Sequence, residues 1–185
     1  MPRRQILDNV IVFHEYLHYL KNKMQGSQGF MALKLDMSKA YNRVGWSYLK
    51  AMMTKIRFSE IWINWIMECI TTTTFSFNIN EESKGYITPS RGIRQGDPLS
   101  PYLFLLVSEG FSNLLTQAES NHKLSGLKIS RAGPSISHLF FADNSLIFCK
   151  ADKDQAEEVM KILAMYEQGS GQLINMEKSS VFFSK

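Results

Sequence analysis

The chain has 185 residues, 44% of them apolar, which is enough for one sizeable core in a single compact unit. Its net charge of +4 is uneven, because residues 1–60 hold ten Lys and Arg against four Asp and Glu. A basic N-terminal third suits an anionic partner such as nucleic acid, although a solvated basic face is the more common explanation.

Cysteine usage and hydropathy argue against several classes of protein. Cys69 and Cys149 lie far apart without a CxxC pattern, which argues against a disulfide framework or a thiolate metal site. We expect both to be reduced core residues. The first residues lack the apolar region of a signal peptide, so none is expected, and no apolar run is long enough to cross a bilayer. The expectation is an intracellular protein, nuclear or cytoplasmic, without a membrane partner.

The first elements in chain order are a helix, a strand and a second helix. Apolar residues recur from Ile6 to Met24 at spacings of three and four, which predicts an amphipathic helix. A strand over residues 30–36 ends at Asp36, and a helix follows with Trp46 on its apolar face. Such a carboxylate is where α/β folds often place ligand groups, and a helix cap is an equally good explanation.

A third helix and a hairpin come next. The helix is predicted to bury one apolar face, formed by Ile61, Trp62, Trp65, Ile66 and Cys69. After it, apolar residues alternate with polar ones over 75–79, the pattern of a half-buried strand. This strand is expected to pair with the run over 86–88.

A glycine- and arginine-rich loop spans residues 90–101 and leads into a helix that starts at Ser100-Pro101. Gly92 and Gly96 are the residue type that lets backbone approach a ligand closely, while Arg91 and Arg94 offer charge-assisted donors to phosphate. This loop can equally well be interpreted as an anion-binding site or as a turn formed by its glycine and proline residues.

The stretch 137–149 predicts a second hairpin. Two apolar runs flank Ala142-Asp143-Asn144, and Asp and Asn both tolerate the positive φ of a tight turn without any function. A helix starting at Asp152 or Asp154 and a final strand within 173–183 complete the chain. The predicted class is α+β, with a small, largely antiparallel sheet backed by helices.

Four segments carry a family resemblance: residues 33–41 (LKLDMSKAY), 91–101 (RGIRQGDPLSP), 141–143 (FAD) and 171–178 (GQLINMEK). In this order they resemble the reverse transcriptase domain of non-LTR, LINE-type retrotransposons, particularly those of plants. The resemblance covers nearly the whole chain. It implies a right-hand polymerase palm with partial fingers, residues 1–30 being fingers and 31–185 mainly palm. A thumb and an endonuclease are expected to be absent.

The implied activity is RNA-directed DNA synthesis, in which deoxynucleoside triphosphates extend a DNA primer on an RNA template. Asp36 and Asp143 match the family's acids that hold two Mg²⁺ ions, with Mn²⁺ as an alternative. The backbone carbonyl of Met37 is a further expected ligand. Hard Mg²⁺ prefers oxygen ligands, and two such ions can activate the primer 3′-hydroxyl and stabilise the leaving pyrophosphate.

The resemblance also assigns substrate-binding residues. Tyr41 matches the steric gate that clashes with a ribonucleotide 2′-hydroxyl, its alternative being an aromatic core residue. Gln95 and Gly96 match the part of the motif that contacts the incoming nucleotide and the templating pair, and Arg94 is expected to touch phosphate. Lys178 matches a lysine that donates to the pyrophosphate leaving group, its alternative being an ordinary surface lysine.

Two positions depart from the family pattern. Asn144 stands where the hairpin motif normally carries a second Asp, and Asn42 stands where related elements commonly carry Asp. Each change removes a negative charge near the expected ions, so we expect weaker metal binding and slower synthesis. The alternative function is therefore an impaired palm fragment that at most binds nucleic acid, or a pseudogene product without a role.

Overall fold

The structure, a computed structural model, describes residues 6–23, 29–130, 132–141 and 144–184, with side chains from residue 8 onward. Its helices are α1 (Ile6–Asn22), α2 (Trp46–Lys55), α3 (Glu60–Thr71), α4 (Ser100–Ser120) and α5 (Lys153–Ser170). Its strands are β1 (Phe30–Asp36), β2 (Phe75–Ile79), β3 (Glu82–Ile87), β4 (His138–Phe141), β5 (Asn144–Lys150) and β6 (Ser180–Phe183), and a 3-10 turn covers Tyr41–Arg43. None of the helices in these ranges has the length and apolar content needed to span a bilayer.

The chain divides into two compact units. The first comprises Met1–Ser38, Phe111–Glu167 and Leu173–Lys185, and the second comprises Lys39–Gly110 and Gln168–Gln172.

The first unit is built on a four-stranded antiparallel sheet of order β4-β5-β1-β6. The central pair, β1 and β5, runs in continuous register from Phe30 opposite Lys150 to Asp36 opposite Asn144. Residues 145–149 of β5 are all buried, so this strand is covered on both faces.

Helix α1 covers one face of this sheet, because its apolar stripe contributes Tyr16 and Leu20 to the main core. The buried members of that core are Tyr16, Leu20, Ala32, Leu127, Leu139, Leu146 and Phe148. On the opposite face, Phe140 of β4 stacks on Phe111 of α4, which also stacks on Tyr166 of α5. Since successive residues of a strand point to opposite faces, Leu139 and Phe140 serve these two layers.

The second unit packs α2, α3 and the N-terminal part of α4 around its own core. The buried apolar residues of this unit are Ala40, Val44, Leu49, Met52, Met53, Ile63, Ile66, Ile70, Ile93, Leu103, Phe104 and Val107. Strands β2 and β3 form a separate two-stranded hairpin. The side chain of Ser59 accepts a hydrogen bond from the Trp62 amide (3.3 Å) and caps the start of α3.

Local patterns predicted most elements, and the α+β class with a small antiparallel sheet backed by helices is confirmed. Of the two candidate starts of the last helix, Asp152 is the cap, since its Oδ1 accepts from the Gln155 amide at 2.8 Å.

The predicted buried face of α3 is confirmed only at Ile66 and is otherwise wrong. Trp62 and Trp65 are 45% and 59% exposed, and the buried face consists of Ile63, Ile66 and Ile70. The helix is apolar around most of its circumference, so periodicity offered two stripes and packing selected the other one.

Two related expectations are also wrong. Cys69, on the exposed side of α3, is not a core residue, whereas Cys149 is fully buried as expected. Strand β2 is exposed along its whole length rather than half-buried, because its hairpin pairs only within itself.

Candidate active site

Asp36 ends β1, and its backbone is fixed from both sides. On one side it lies opposite Asn144 in the antiparallel register with β5. On the other side its amide donates to Ser179 Oγ (3.2 Å) and its carbonyl accepts from the Asn175 amide (2.8 Å). The residue is half-buried. A rigid frame therefore holds a carboxylate at the end of the central strand.

Met37 continues the strand as a bridge to Ile174. Two hydrogen bonds flank this bridge, one to the Asp36 carbonyl and one from the Ser38 amide to the Leu173 carbonyl (2.8 Å). Because the backbone groups of successive strand residues point to alternate sides, the Met37 carbonyl faces away from Ile174 and toward the side on which β5 lies. The hairpin strands β4 and β5 lie on that side of β1.

The structure brings together two of the predicted metal ligands, Asp36 and Met37, with Asn144, the position that departs from the family pattern. Asp36, Met37 and Asn144 lie at one end of the β1–β5 ladder. Asp143 lies outside the described residues, directly before Asn144 in the sequence. Lys178 lies in the turn before β6, where its amide donates to the Asn175 carbonyl (3.2 Å) and its side chain is exposed.

The donors present fit a hard cation. A carboxylate on Asp36 and a backbone carbonyl on Met37 are oxygen ligands of the kind that Mg²⁺ prefers. No cluster of three His, Cys, Asp or Glu side chains occurs within the ranges that the structure covers. Asp143, the other carboxylate that the family resemblance implies, lies outside those ranges.

In the second unit, the 3-10 turn carries Tyr41. Its ring stacks on Phe104 of α4, with 5.0 Å between centroids and 13° between planes. Its carbonyl accepts a hydrogen bond from the Ile93 amide (2.9 Å). The residue is half-buried, so packing fixes one ring face while part of the side chain stays accessible.

Gly92 has a structural role within the chain. Its amide donates to the Val44 carbonyl (2.8 Å), and its carbonyl accepts from the indole Nε1 of Trp46 (2.7 Å). Its φ is +94°, and an added Cβ would lie 2.7 Å from the carbonyl oxygen of Asn42. The glycine is thus needed where the loop meets the chain's own backbone.

The loop, including Gly92, also lines a cavity of about 460 Å³. Arg91, Arg94 and Gln95 are exposed residues at its wall. Gly96 also has a positive φ of +89°, but a Cβ there would meet nothing within 4 Å. Two guanidinium groups and a carboxamide at one cavity can bind an anionic, hydrogen-bonding ligand.

One residue with a structural role was not predicted. Gln172 is 2% exposed, and its Nε2 donates to the Ala40 carbonyl (2.8 Å). Beside it, Arg43 Nε donates to the Gly171 carbonyl (3.3 Å) and the Gly45 amide to the Ser170 carbonyl (2.8 Å). In the sequence, residues 168–172 marked a helix end, and Gly171 and Gln172 opened the fourth family segment, but neither signal indicated this contact.

Comparison with known proteins identifies the family. The family described as "Reverse transcriptase (RNA-dependent DNA polymerase)" matches residues 2–185. An uncharacterized mitochondrial protein of Arabidopsis thaliana is 51% identical over 69 residues, which are 37% of this chain and 57% of that protein.

Two transposon proteins match over most of the chain. The uncharacterized 149 kDa protein of transposon TX1 from Xenopus laevis is 27% identical over 97% of this chain and 13% of its own length. The retrovirus-related Pol polyprotein from the type-1 retrotransposable element R2 of Popillia japonica is 27% identical over 93% of this chain and 27% of its own length. The chain thus spans between 13% and 57% of the length of these three relatives.

Solved structures agree on the fold. Apo telomerase of Candida tropicalis, truncated from its C-terminal domain, superposes with a TM-score of 0.69 at 18% identity, over 98% of this chain and 36% of that one. The same enzyme in complex with a fragment of telomeric RNA gives 0.68 at 16% identity, over 96% and 29%. At these identities the likeness concerns the fold, which is that expected of a polymerase palm. On the match over residues 2–185, the chain belongs to the reverse transcriptase (RNA-dependent DNA polymerase) family, as its four sequence segments predicted.

Proposed function

We propose that this chain is the RNA-directed DNA polymerase domain of a retrotransposon, which extends a DNA primer on an RNA template. The observation that carries the proposal is the rigid placement of Asp36 at the end of β1, opposite the hairpin residue Asn144. A polymerase active site needs carboxylates distant in sequence to converge, and this ladder joins the two segments that carry them.

Asp36, Asp143 and the carbonyl of Met37 would hold the divalent ions. Mg²⁺ held there would supply the positive charge needed to activate the primer 3′-hydroxyl and to stabilise the leaving pyrophosphate. Two facts support this ligand set: the Met37 carbonyl faces the β5 side of β1, and Asp143 directly precedes the partner of Asp36 in the register. Mn²⁺ is an alternative ion, since it prefers the same ligands.

The remaining residues bind the deoxynucleoside triphosphate. Tyr41 excludes a ribonucleotide 2′-hydroxyl, with its ring fixed by stacking on Phe104. Gln95 and Gly96 contact the nucleotide and the templating pair, and Arg94 binds phosphate. The exposed ammonium of Lys178 donates a proton to the departing pyrophosphate.

An RNA template is the proposed partner, supported by the family and by the RNA-bound telomerase of the same fold. We assign residues 1–30 to partial fingers and 31–185 mainly to the palm. The protein is proposed to act inside the cell, in the nucleus or the cytoplasm.

A second candidate is a palm that binds nucleic acid and extends it poorly or not at all. One observation favours it: the residue opposite Asp36 is Asn144, a neutral amide. This end of the ladder therefore carries one negative charge fewer than it would with the Asp of the family pattern, which weakens the attraction of two divalent ions.

Primer extension on an RNA template with deoxynucleotides and Mg²⁺ tests the proposal. We expect extension by the wild-type chain, which Asp36→Asn and Asp143→Ala each abolish. Asp154→Asn is the matched control, because it removes an exposed carboxylate in the first turn of α5.

Extension that survives both substitutions would refute the assigned site. A wild-type chain and an Asn144→Asp variant that both fail to extend, while still retarding a primed template in a gel, would favour the second candidate.

A further inference from the structure

Gln172 is a buried polar side chain with one satisfied and one unsatisfied end. Its Nε2 donates to the carbonyl of Ala40 at 2.8 Å. Its Oε1 is buried and accepts no hydrogen bond from the residues that the structure describes. A buried acceptor without a partner carries a desolvation cost, which an apolar side chain of the same shape would not have. Among the described residues, the hydrogen bond to the Ala40 carbonyl is the only one that this side chain makes. It alone offsets the desolvation cost by hydrogen bonding.

The hydrogen bond from Gln172 fixes the backbone directly before Tyr41. Ala40 is 6% exposed and directly precedes Tyr41. Its carbonyl belongs to the same planar peptide unit as the Tyr41 amide, so a hydrogen bond to that oxygen fixes the plane from which the Tyr41 side chain departs. The next carbonyl, that of Tyr41 itself, accepts from the Ile93 amide at 2.9 Å. Two consecutive peptide units are therefore held, one by Gln172 and one by Ile93.

The segment that carries Gln172 is itself anchored to the same turn. Gly171 has a φ of +78°, and a Cβ there would lie 2.7 Å from the Arg43 carbonyl oxygen. Arg43 Nε in turn donates to the Gly171 carbonyl at 3.3 Å. The carboxamide of Gln172 thus reaches Ala40 from a backbone that has little freedom to shift.

We propose that Gln172 is a positioning residue for nucleotide selection. By fixing the peptide plane before Tyr41, it holds the tyrosine ring in place against Phe104, and so sets how strongly ribonucleotides are excluded. This inference rests on the proposed role of Tyr41 as the gate beneath the sugar.

The test compares Gln172→Met with a matched control, Gln155→Met. Gln155 is also a buried glutamine (8% exposed), and its Oε1 accepts from the amides of Ser125 (3.0 Å) and Lys150 (3.1 Å) in the other unit. Methionine keeps the length of the side chain and removes its hydrogen bonds. The readout is the ratio of kcat/KM for a deoxynucleotide to that for the matching ribonucleotide.

We expect Gln172→Met to lower this ratio about fivefold, the factor of one neutral hydrogen bond. Gln155→Met should leave the ratio unchanged even where it lowers stability, because a smaller folded fraction reduces both rates equally. Tyr41→Val, the positive control, should lower the ratio further. An unchanged ratio in Gln172→Met with a responding Tyr41→Val overturns the proposal, as does an equal fall in Gln155→Met.

A second measurement separates this inference from the proposed function. Amide hydrogen exchange of a peptide covering residues 39–46 should be faster in Gln172→Met than in wild type, and unchanged in Gln155→Met. If the wild-type chain extends no primer, the proposed function fails, and the exchange comparison still decides whether Gln172 holds the turn. Equal exchange in all three proteins overturns the inference.

Discussion

Asn144 lies directly opposite Asp36, as the last pair of the β1–β5 ladder. The pairing joins the ends of two sequence segments more than a hundred residues apart and leaves one carboxylate facing one carboxamide. Adding a charge to the carboxamide position therefore changes the electrostatics of the strand pair with and without a bound ion.

The variant Asn144→Asp is expected to bind Mg²⁺ more tightly than the wild-type chain. When a chelator removes Mg²⁺, the Tm of this variant should be about 2–4 °C below that of the wild-type chain, because like charges lie opposite each other. Added Mg²⁺ should restore the Tm. Half-maximal primer extension should require about tenfold less Mg²⁺. Thermal unfolding with and without Mg²⁺ measures the first effect. The control Asn113→Asp adds the same charge at an exposed position of α4, and equal Mg²⁺ responses of both variants would contradict the expectation.

Replacement of Gly92 by Ala should destabilise the chain by about 3 kcal/mol. The change combines an unfavourable positive φ with a Cβ 2.7 Å from the Asn42 carbonyl oxygen. Gly96→Ala provides the control, since its φ is similar and the space around it is open, and we expect a loss of only about 1 kcal/mol. Urea denaturation measures both values. Equal losses would show that the approach to Asn42 contributes nothing.

A half-buried histidine should make stability depend on pH. Burial lowers the pKa of His138 below its ordinary value of 6.5, an effect that the Glu119 carboxylate partly opposes. Ser112 and Ser137 hydrogen-bond its two ring nitrogens, at 2.8 and 3.0 Å. The His138 imidazole therefore binds a proton more readily in the unfolded chain than in the folded one. The contribution of His138 to the free energy of unfolding is complete above about pH 6.5 and is lost as the pH falls below that value.

Urea midpoints between pH 5 and about 7 check this expectation. His138→Gln should flatten the profile, whereas His14→Gln, at an exposed position of α1, should retain the wild-type slope. The reverse result, with His138→Gln as steep as wild type, would show that another group causes the loss at low pH.

The two cysteines should differ sharply in reactivity. Burial, aided by the Asp152 carboxylate, raises the pKa of the Cys149 thiol to about 12, so almost no thiolate forms at neutral pH. Cys69 is exposed. Ellman's reagent should label one thiol in the native chain and two in urea. Cys69→Ser should abolish the native reaction, and rapid labelling of Cys149 in the folded state would contradict its burial.

Sequence patterns predicted the elements that depend on local chemistry. The strand ending at Asp36 and the hairpin around Asn144 have apolar runs bounded by turn residues, and both formed as expected. The family resemblance implied that Asp36 and Asp143 hold the same ions, but the pairing of the two strands was not predicted, because strand patterns do not specify partners.

Features that depend on long-range packing were not predictable in this way. Trp62 and Trp65 look like core residues by periodicity, yet α3 turns a different apolar stripe inward. The roles of Gly92 and Gln172 depend on segments that meet only in the folded chain, residues 40–46 and 168–172. A glutamine beyond a helix end gives no sign in the sequence of the carbonyl it will bind.

The exposed face of α3 affects the tryptophan fluorescence of the protein. Trp62 and Trp65 are exposed, with ring centroids 6.2 Å apart, whereas half-buried Trp46 donates its indole N–H to Gly92 in the loop that carries Gln95. Acrylamide should therefore quench the first two tryptophans and largely spare the third. Replacing Trp62 and Trp65 by Phe would leave Trp46 as the single tryptophan, in contact with the proposed nucleotide-binding loop, so its emission could be used to follow nucleotide binding.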